Sequence, residues 1–209
     1  TLHFGEEADT YLEAKEQLTE AANNEKLAIC LYYQYTYTNE ELKDWPRAYP
    51  LEALVRLEED CKASNEALEK CITTAEKATT GFSKLLENEE LTLPIKYAVM
   101  SLLADALRCI ELAKNFIFLL DLRQKLATAT ATEEQAGECE KRSEEIKDFM
   151  LTFAENKAAH TVPASAQSFT YLCLFMLQLA AELKDAAKAG KNDNLSWTLP
   201  ENWELPEEN

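Results

Sequence analysis

The sequence predicts an all-α protein, a bundle of four to five long, mainly antiparallel helices followed by an extended tail. Three observations favour this class. The 209 residues include only four glycines, too few for the turns of a many-stranded sheet. Hydrophobic residues make up 46% of the chain, enough for a sizeable core. Apolar residues also recur every three to four positions over long stretches, as they do along one side of a helix.

The first half of the chain contains two predicted helices. Residues 6–37 keep the helical spacing of apolar residues, although the Asn-Asn pair at 23–24 is a point where the helix could break. Pro50 suits the first position of a new helix. Residues 51–78 then predict an amphipathic helix, and Gly81 predicts its C-terminal end.

Residues 94–126 form the most apolar long stretch. They contain eight charged residues, and the longest run without charge is eight residues, so the stretch is not a membrane span. One side of the predicted helix carries Ile95, Val99, Leu102, Ala106, Ile110, Ala113, Ile117 and Leu120. Its C-terminal half is apolar on nearly all sides, which predicts a buried central helix.

The second half of the chain contains two more predicted helices. Thr132 and Gln135 are spaced as a capping box, which predicts a helix start. Residues 164–189 are apolar on most sides and predict a second buried helix. We therefore expect a single helical-bundle domain over residues 1–190 and an extended acidic tail over 191–209.

The charge of the chain restricts its partners. The net charge is −17, from 38 acidic and 21 basic residues, so the surface should repel nucleic-acid phosphates and anionic lipid headgroups. We expect no nucleic-acid binding and no membrane insertion. A protein with a basic surface would fit the acidic parts, of which residues 1–45 carry a net −7.

The six cysteines favour free thiols over a metal site or a small disulfide scaffold, because they form no CxxC pair and no short framework spacing. They lie at positions 30, 61, 71, 109, 139 and 173. Free, buried thiols predict a cytoplasmic protein. The alternative is a secreted or cell-surface protein with paired cysteines, for which the acceptor triplet at 194–196 would suit glycosylation.

Catalytic motifs are missing. The two histidines, His3 and His160, have no partner at metal-ligand spacing, and the chain has no nucleophile elbow, phosphate loop or dinucleotide fingerprint. The sequence therefore predicts a protein that is not an enzyme, with no cofactor and no metal.

An aromatic patch within residues 32–49 is the first candidate binding site. Tyrosine and tryptophan are favoured at protein interfaces because they bury a large area at a small entropy cost. The candidate partner-binding residues are Tyr33, Tyr37, Trp45 and Tyr49. The alternative is that these rings fill one end of the bundle.

The tail is the second candidate. It contains Trp-x-Leu-Pro-Glu twice, and Trp197 and Trp203 would be the anchors of a docking peptide. Alternatively the two rings pack on the bundle itself. Deleting residues 195–209 separates the two, since it should abolish partner binding in the first case and lower the melting temperature in the second.

The stretch DNLSW, at residues 193–197, resembles the last helix of 14-3-3 proteins. The resemblance covers five residues, and the basic phosphate-binding residues of that family have no counterpart here. No function is carried over from it.

The leading hypothesis is a non-enzymatic, acidic, helical protein–protein interaction module, acting as an inhibitor or adaptor of a basic partner. The alternative is a helical-bundle receptor or carrier for an apolar small molecule, which would be held between the two most apolar helices. If the cysteines are paired, this protein would be extracellular. Its candidate ligand-binding residues are Phe116, Phe118, Leu172, Phe175 and Met176.

Overall fold

The computed structural model describes residues 4–38, 51–127 and 132–159, together with 173, 176–177, 180–181 and 183–185. Within these residues the chain forms long helices and no strand. They are α1 (Ala8–Thr38), preceded by a 3-10 turn at Gly5–Glu7, then α2 (Leu51–Leu86), α3 (Leu93–Ala127) and α4 (Glu133–Ala159). The predicted all-α helical-bundle class is confirmed.

Two of the predicted helix features are confirmed closely. Helix α3 begins and ends within one residue of the predicted 94–126. Helix α4 opens with the predicted capping box, in which the Thr132 N–H donates to Gln135 Oε1 at 2.9 Å and the Gln135 N–H donates to Thr132 Oγ1 at 3.3 Å. The two reciprocal bonds satisfy backbone donors that a helix start otherwise leaves unpaired.

The expected break in α1 does not occur. Helix α1 runs through Asn23 and Asn24 without interruption. The Asn24 side chain donates to the Glu20 carbonyl one turn earlier, at 3.1 Å. Because its amide finds a partner within the helix, it does not compete with the helical backbone.

The prediction that Gly81 ends α2 is wrong, since the helix continues to Leu86. A Cβ atom placed on Gly81 would lie only 2.9 Å from the Cβ of Ala14 in α1. The glycine therefore serves the close approach of two helices instead of a helix end. The actual end is a tightened last turn, in which the Glu87 N–H donates to the Lys84 carbonyl at 3.2 Å.

The chain forms two compact units, and each combines parts of the same long helices. The first contains the described residues of Thr1–Leu27 and Glu66–Lys114, and the second contains the described residues of Ala28–Asn65 and Asn115–Asn209. The predicted division into one domain at 1–190 and a tail at 191–209 stays a prediction, because the tail lies outside the described residues.

The core of the first unit is built from α1, α2 and the N-terminal half of α3. Its buried side chains are Phe4, Ala14, Ala78, Phe82, Leu85, Ile95, Val99 and Ala106. The Phe4 ring stacks on Tyr11 with centroids 4.0 Å apart, and the positive φ of Gly5 (58°) allows the chain to turn between Phe4 and α1.

The second unit buries the C-terminal half of α3, as its all-round apolar surface predicted. The buried side chains include Phe116, Leu119, Leu120 and Leu122 of α3, Ala136, Cys139 and Ile146 of α4, and Cys173, Met176, Ala180 and Leu183. The Cys139 thiol donates to the Ala180 carbonyl at 3.1 Å. Burial raises the pKa of Cys139 to about 11, so this thiol stays protonated at neutral pH.

None of the helices in the described part of the chain combines the length and the apolarity that crossing a membrane requires.

Candidate functional site

Helix α3 carries four large apolar side chains that are open to solvent. Leu93 and Tyr97 are each 62% exposed, Met100 is 52% exposed and Leu107 is 47% exposed. We call these four residues the α3 stripe. All four lie in the first unit.

The four residues lie on one side of the helix at a regular spacing. Tyr97 follows Leu93 by four residues, Met100 follows Tyr97 by three, and the half-buried Ala104 continues the four–three pattern to Leu107. This is the spacing of the apolar seam between two packed helices. At 1.5 Å per residue, the stripe is about 21 Å long.

The other side of α3 holds the helix in place. Ile95, Val99 and Ala106 are buried in the core of the first unit, against side chains of α2 such as Phe82. At 100° per residue these three residues lie roughly opposite the stripe. The N-terminal half of α3 is therefore apolar on two sides, of which one is packed and the other has large exposed side chains.

An exposed leucine by itself needs no explanation. Leu12 of α1 is 55% exposed, but its neighbours along the helix surface include the exposed Asp9, Lys15 and Glu16. The α3 stripe differs because its members are neighbours of one another. A contiguous apolar patch on a protein surface is often a binding site, which makes the stripe a candidate.

A buried carboxyl group lies between two thiols in the first unit. Glu25 of α1 is 3% exposed, Cys71 of α2 is fully buried and Cys109 of α3 is 3% exposed. The Cys71 thiol donates to Glu25 Oε2 at 3.9 Å. Glu25 Oε1 accepts no hydrogen bond from any described residue.

The buried Glu25 carboxyl group and the Cys109 thiol favour their neutral forms. Burial, and then the neighbouring Cys109, raise the pKa of Glu25 well above its usual value. The hydrogen bond with Cys71, and then burial, raise the pKa of Cys109. Since the thiolate is the reactive form of cysteine, this arrangement disfavours nucleophilic chemistry at Cys109. Over the described ranges, no three His, Cys, Asp or Glu side chains are placed to hold a metal ion.

The residues predicted for an apolar ligand are only partly described. Phe116 and Met176 have no exposed surface. Phe118 is half-buried, and the Arg142 guanidinium of α4 lies 5.1 Å from the centre of its ring. The same guanidinium donates to Asn115 Oδ1 at 3.1 Å. Leu172 and Phe175 lie outside the described residues.

The residues predicted for partner binding are not placed by the structure. Tyr33 and Tyr37 belong to α1, but their side chains lie outside the described part of the chain. Trp45, Tyr49, Trp197 and Trp203 also lie outside it. The binding roles of all six residues stay predictions.

The α3 stripe was missed from the sequence, although a signal was present. The longest uncharged run in this helix is Tyr97 to Ala104, which spans two turns. Two turns without charge place uncharged residues on every side of a helix, including the side that faces away from the core. A run of eight residues is too short to span a membrane, but it is long enough to place large apolar side chains on the outer side of the helix.

No protein-family model, curated protein or solved structure matches this chain. Its function therefore has to be inferred from its own residues.

Proposed function

We propose that this protein is a non-enzymatic interaction module that holds a helix of a partner protein against the α3 stripe. The observation that carries the proposal is the exposure of Leu93, Tyr97, Met100 and Leu107 at the spacing of a helix–helix seam. An amphipathic helix binds such a surface by packing the apolar side chains at its positions i, i+3, i+4 and i+7 against it. In this role the protein acts as an adaptor or an inhibitor.

The size of the stripe supports a weak, reversible contact. Fully burying a Leu or Met side chain contributes about 1.5–3 kcal/mol, so each half-exposed member of the stripe contributes about 1 kcal/mol on binding. Association itself costs several kcal/mol in lost freedom. The leucines of the peptide lose a similar apolar area, so the two sides together contribute about 8 kcal/mol before this cost. We expect dissociation constants of about 1 mM for an isolated helical peptide, typical of a small and transient interface.

The test uses a fluorescent host peptide with leucine at heptad positions and glutamine or alanine elsewhere. Its binding to the full chain is followed by fluorescence anisotropy. The variant Met100→Ser with Leu107→Ser removes two anchors and should weaken binding about tenfold or more. The matched control is Leu12→Ser, which removes an exposed leucine of similar accessibility from α1.

Unchanged affinity in the Met100→Ser, Leu107→Ser variant would overturn the proposal, and so would an equal loss in Leu12→Ser. Circular dichroism of each variant checks that the helices are retained. Because both target residues are exposed, neither substitution should unfold the protein.

A reducing compartment such as the cytoplasm belongs to the same proposal. It is supported by Cys71, Cys109 and Cys139, which are buried free thiols. Thiol titration of purified protein, unfolded without reductant, should give six reactive groups. A lower number that rises after reduction would contradict this part of the proposal and favour a secreted or cell-surface protein.

A further inference from the structure

Exposed carboxylates lie at the first end of the α3 stripe. Glu89 and Glu90 stand in the turn between α2 and α3, four and three residues before Leu93, and both are exposed. No basic residue lies between Glu87 and Leu93 to neutralise them. The first end of the stripe is therefore acidic.

The turn that carries these carboxylates is held by Asn88. Its Oδ1 accepts the N–H of Glu90 at 2.9 Å, and its carbonyl accepts the N–H of Leu91 at 3.4 Å. Its Nδ2 donates to Glu7 Oε2 at 3.0 Å, which connects the turn to the 3-10 turn that precedes α1. Glu89 and Glu90 therefore have a defined position relative to Leu93.

The second end of the stripe is also acidic. Glu111 occupies the position after Leu107 in the four–three pattern and is exposed. Its carboxylate lies 3.7 Å from Lys114, and both side chains are 50% exposed. Such a surface pair is weak, so Glu111 is available to another cation.

The stretch between the two ends carries little charge. Residues 91–110 contain one acidic residue, Asp105, which forms an ion pair with Arg108. Lys96, which is half-buried, is the other charged residue of this stretch. The surface is thus an apolar stripe with acidic groups at both ends.

A second copy of this chain does not fit such a surface. Glu89 lies eleven residues before Met100 and Glu111 lies eleven residues after it. If two stripes paired in antiparallel orientation about Met100, Glu89 of one copy would therefore lie opposite Glu111 of the other. If they paired in parallel orientation, the two copies of Glu111 would lie opposite each other. Like charges oppose both arrangements, and a chain with a net charge of −17 also repels its copy at long range.

We infer that the α3 stripe receives an amphipathic helix of a different protein, with Lys or Arg at both ends of its apolar seam. This inference rests on the proposed function and specifies its partner. The distance from Glu90 to Glu111 requires a helix of about 20–22 residues. The apolar seam provides the contact, and the basic ends determine which helices are accepted.

The experiment compares three host peptides of about 22 residues with the same leucine seam and with lysine, glutamine or glutamate at both ends. The lysine-ended peptide should bind the full chain about three- to tenfold more tightly than the glutamine-ended one at low salt, and the glutamate-ended peptide should bind most weakly. The advantage of lysine should disappear at about 0.5 M NaCl, where charges on the surface are screened.

Two variants test whether the carboxylates at each end of the α3 stripe cause the tighter binding of the lysine-ended peptide. Glu89→Gln with Glu90→Gln, and separately Glu111→Gln, should each remove part of the advantage of the lysine-ended peptide and leave the glutamine-ended peptide unaffected. Glu16→Gln, an exposed carboxylate on α1, is the matched control and should change neither affinity.

The outcomes separate the two proposals. Equal binding of all three peptides, lost in the Met100→Ser, Leu107→Ser variant, would overturn the basic-ended partner and leave the interaction module standing. Binding of no peptide would overturn both. Sedimentation equilibrium that showed a dimer of the full chain, abolished by the same double variant, would identify a second copy as the occupant and overturn the inference.

Discussion

The free-energy cost of burying Glu25 depends on its protonation state. Its carboxyl group has almost no contact with solvent and lies among thiols, without a basic partner in hydrogen-bonding distance among the described residues. A neutral carboxyl tolerates these surroundings, whereas a carboxylate would be a buried and uncompensated charge. The stability of the fold should therefore depend on pH through this residue.

We predict that Glu25→Gln removes a loss of stability that the unaltered protein suffers as pH rises. Because burial raises the pKa of Glu25 in the folded state above 4.5, its contribution to stability is full below about pH 4.5. It then decreases as pH rises toward the folded-state pKa, with a limiting slope of about 1.4 kcal/mol per pH unit for one proton. Urea unfolding of both proteins between pH 4 and pH 8 measures the difference.

The control for this prediction is Glu20→Gln, an exposed carboxylate on the same helix. Its free energy of unfolding should follow that of the unaltered protein across the pH range. A Glu25→Gln variant that followed the same curve as well would show that the carboxyl group titrates normally in the folded protein.

At the scale of the helices, replacing a glycine by alanine should have opposite effects on stability in α2 and in α4. Gly137→Ala adds a methyl group that meets no atom within 4 Å beyond its chain neighbours and the adjacent backbone of its own helix, so it should stabilise the protein by about 0.5–1 kcal/mol through helix propensity. Gly81→Ala brings a methyl group to 2.9 Å from Ala14 Cβ, so it should destabilise the protein by about 1–3 kcal/mol. Thermal or urea unfolding of the two variants gives the sign directly.

Ala14→Gly provides a rescue for the second substitution. It removes the methyl group that Gly81→Ala would meet, so the double variant should be more stable than the two single effects added together predict. If Gly81→Ala stabilised the protein as Gly137→Ala does, the close approach of α1 and α2 at this point would be disproved.

Gly81 illustrates which features of the helices could be predicted from the sequence and which could not. Features that depend on a few neighbouring residues were predictable, such as the capping box of Thr132 and Gln135 and the near-exact bounds of α3. The role of Gly81 was not predictable. The sequence does not distinguish a glycine that ends a helix from a glycine that allows a second helix to pack closely. Only the position of Ala14 in space separates the two.

The candidate site was harder to predict for a related reason. The buried side of α3 followed from the spacing of Ile95 and Val99. The exposure of Tyr97 and Met100 did not, because an apolar helix surface is ordinarily covered by another part of the fold. Which side of an apolar helix stays uncovered depends on where the other helices end, and that is a property of the assembled structure.

At the scale of the whole molecule, the excess of acidic residues should weaken the fold at neutral pH. The net charge of −17 makes the folded chain repel itself, and salt screens this repulsion. Raising NaCl from about 10 mM to about 0.5 M at pH 7 should raise the melting temperature by a few degrees. Surface ion pairs such as Lys125–Asp121 weaken in salt, but each contributes too little to reverse the change.

The control is the same salt series near pH 4.6, the isoelectric point calculated from the sequence. There the net charge is close to zero, so the repulsion and its screening should be absent and the melting temperature should change little. A melting temperature that fell with salt at pH 7 would mean that specific ion pairs outweigh the general repulsion.

The core of the first unit also constrains the order in which the chain can fold. Its contacts join residues far apart in sequence, for example Glu7 and Asn88, which are 81 residues apart, and Glu25 and Cys71, which are 46 apart. Closing such long loops slows folding compared with a bundle of neighbouring helices. During synthesis, the N-terminal part of α1 therefore leaves the ribosome well before Phe82 and Val99, the side chains that complete its core, have been made. Until then Ala14 and Phe4 have no core to join, so the N-terminal part of α1 has to remain free of aggregation until α2 and the N-terminal half of α3 have been made.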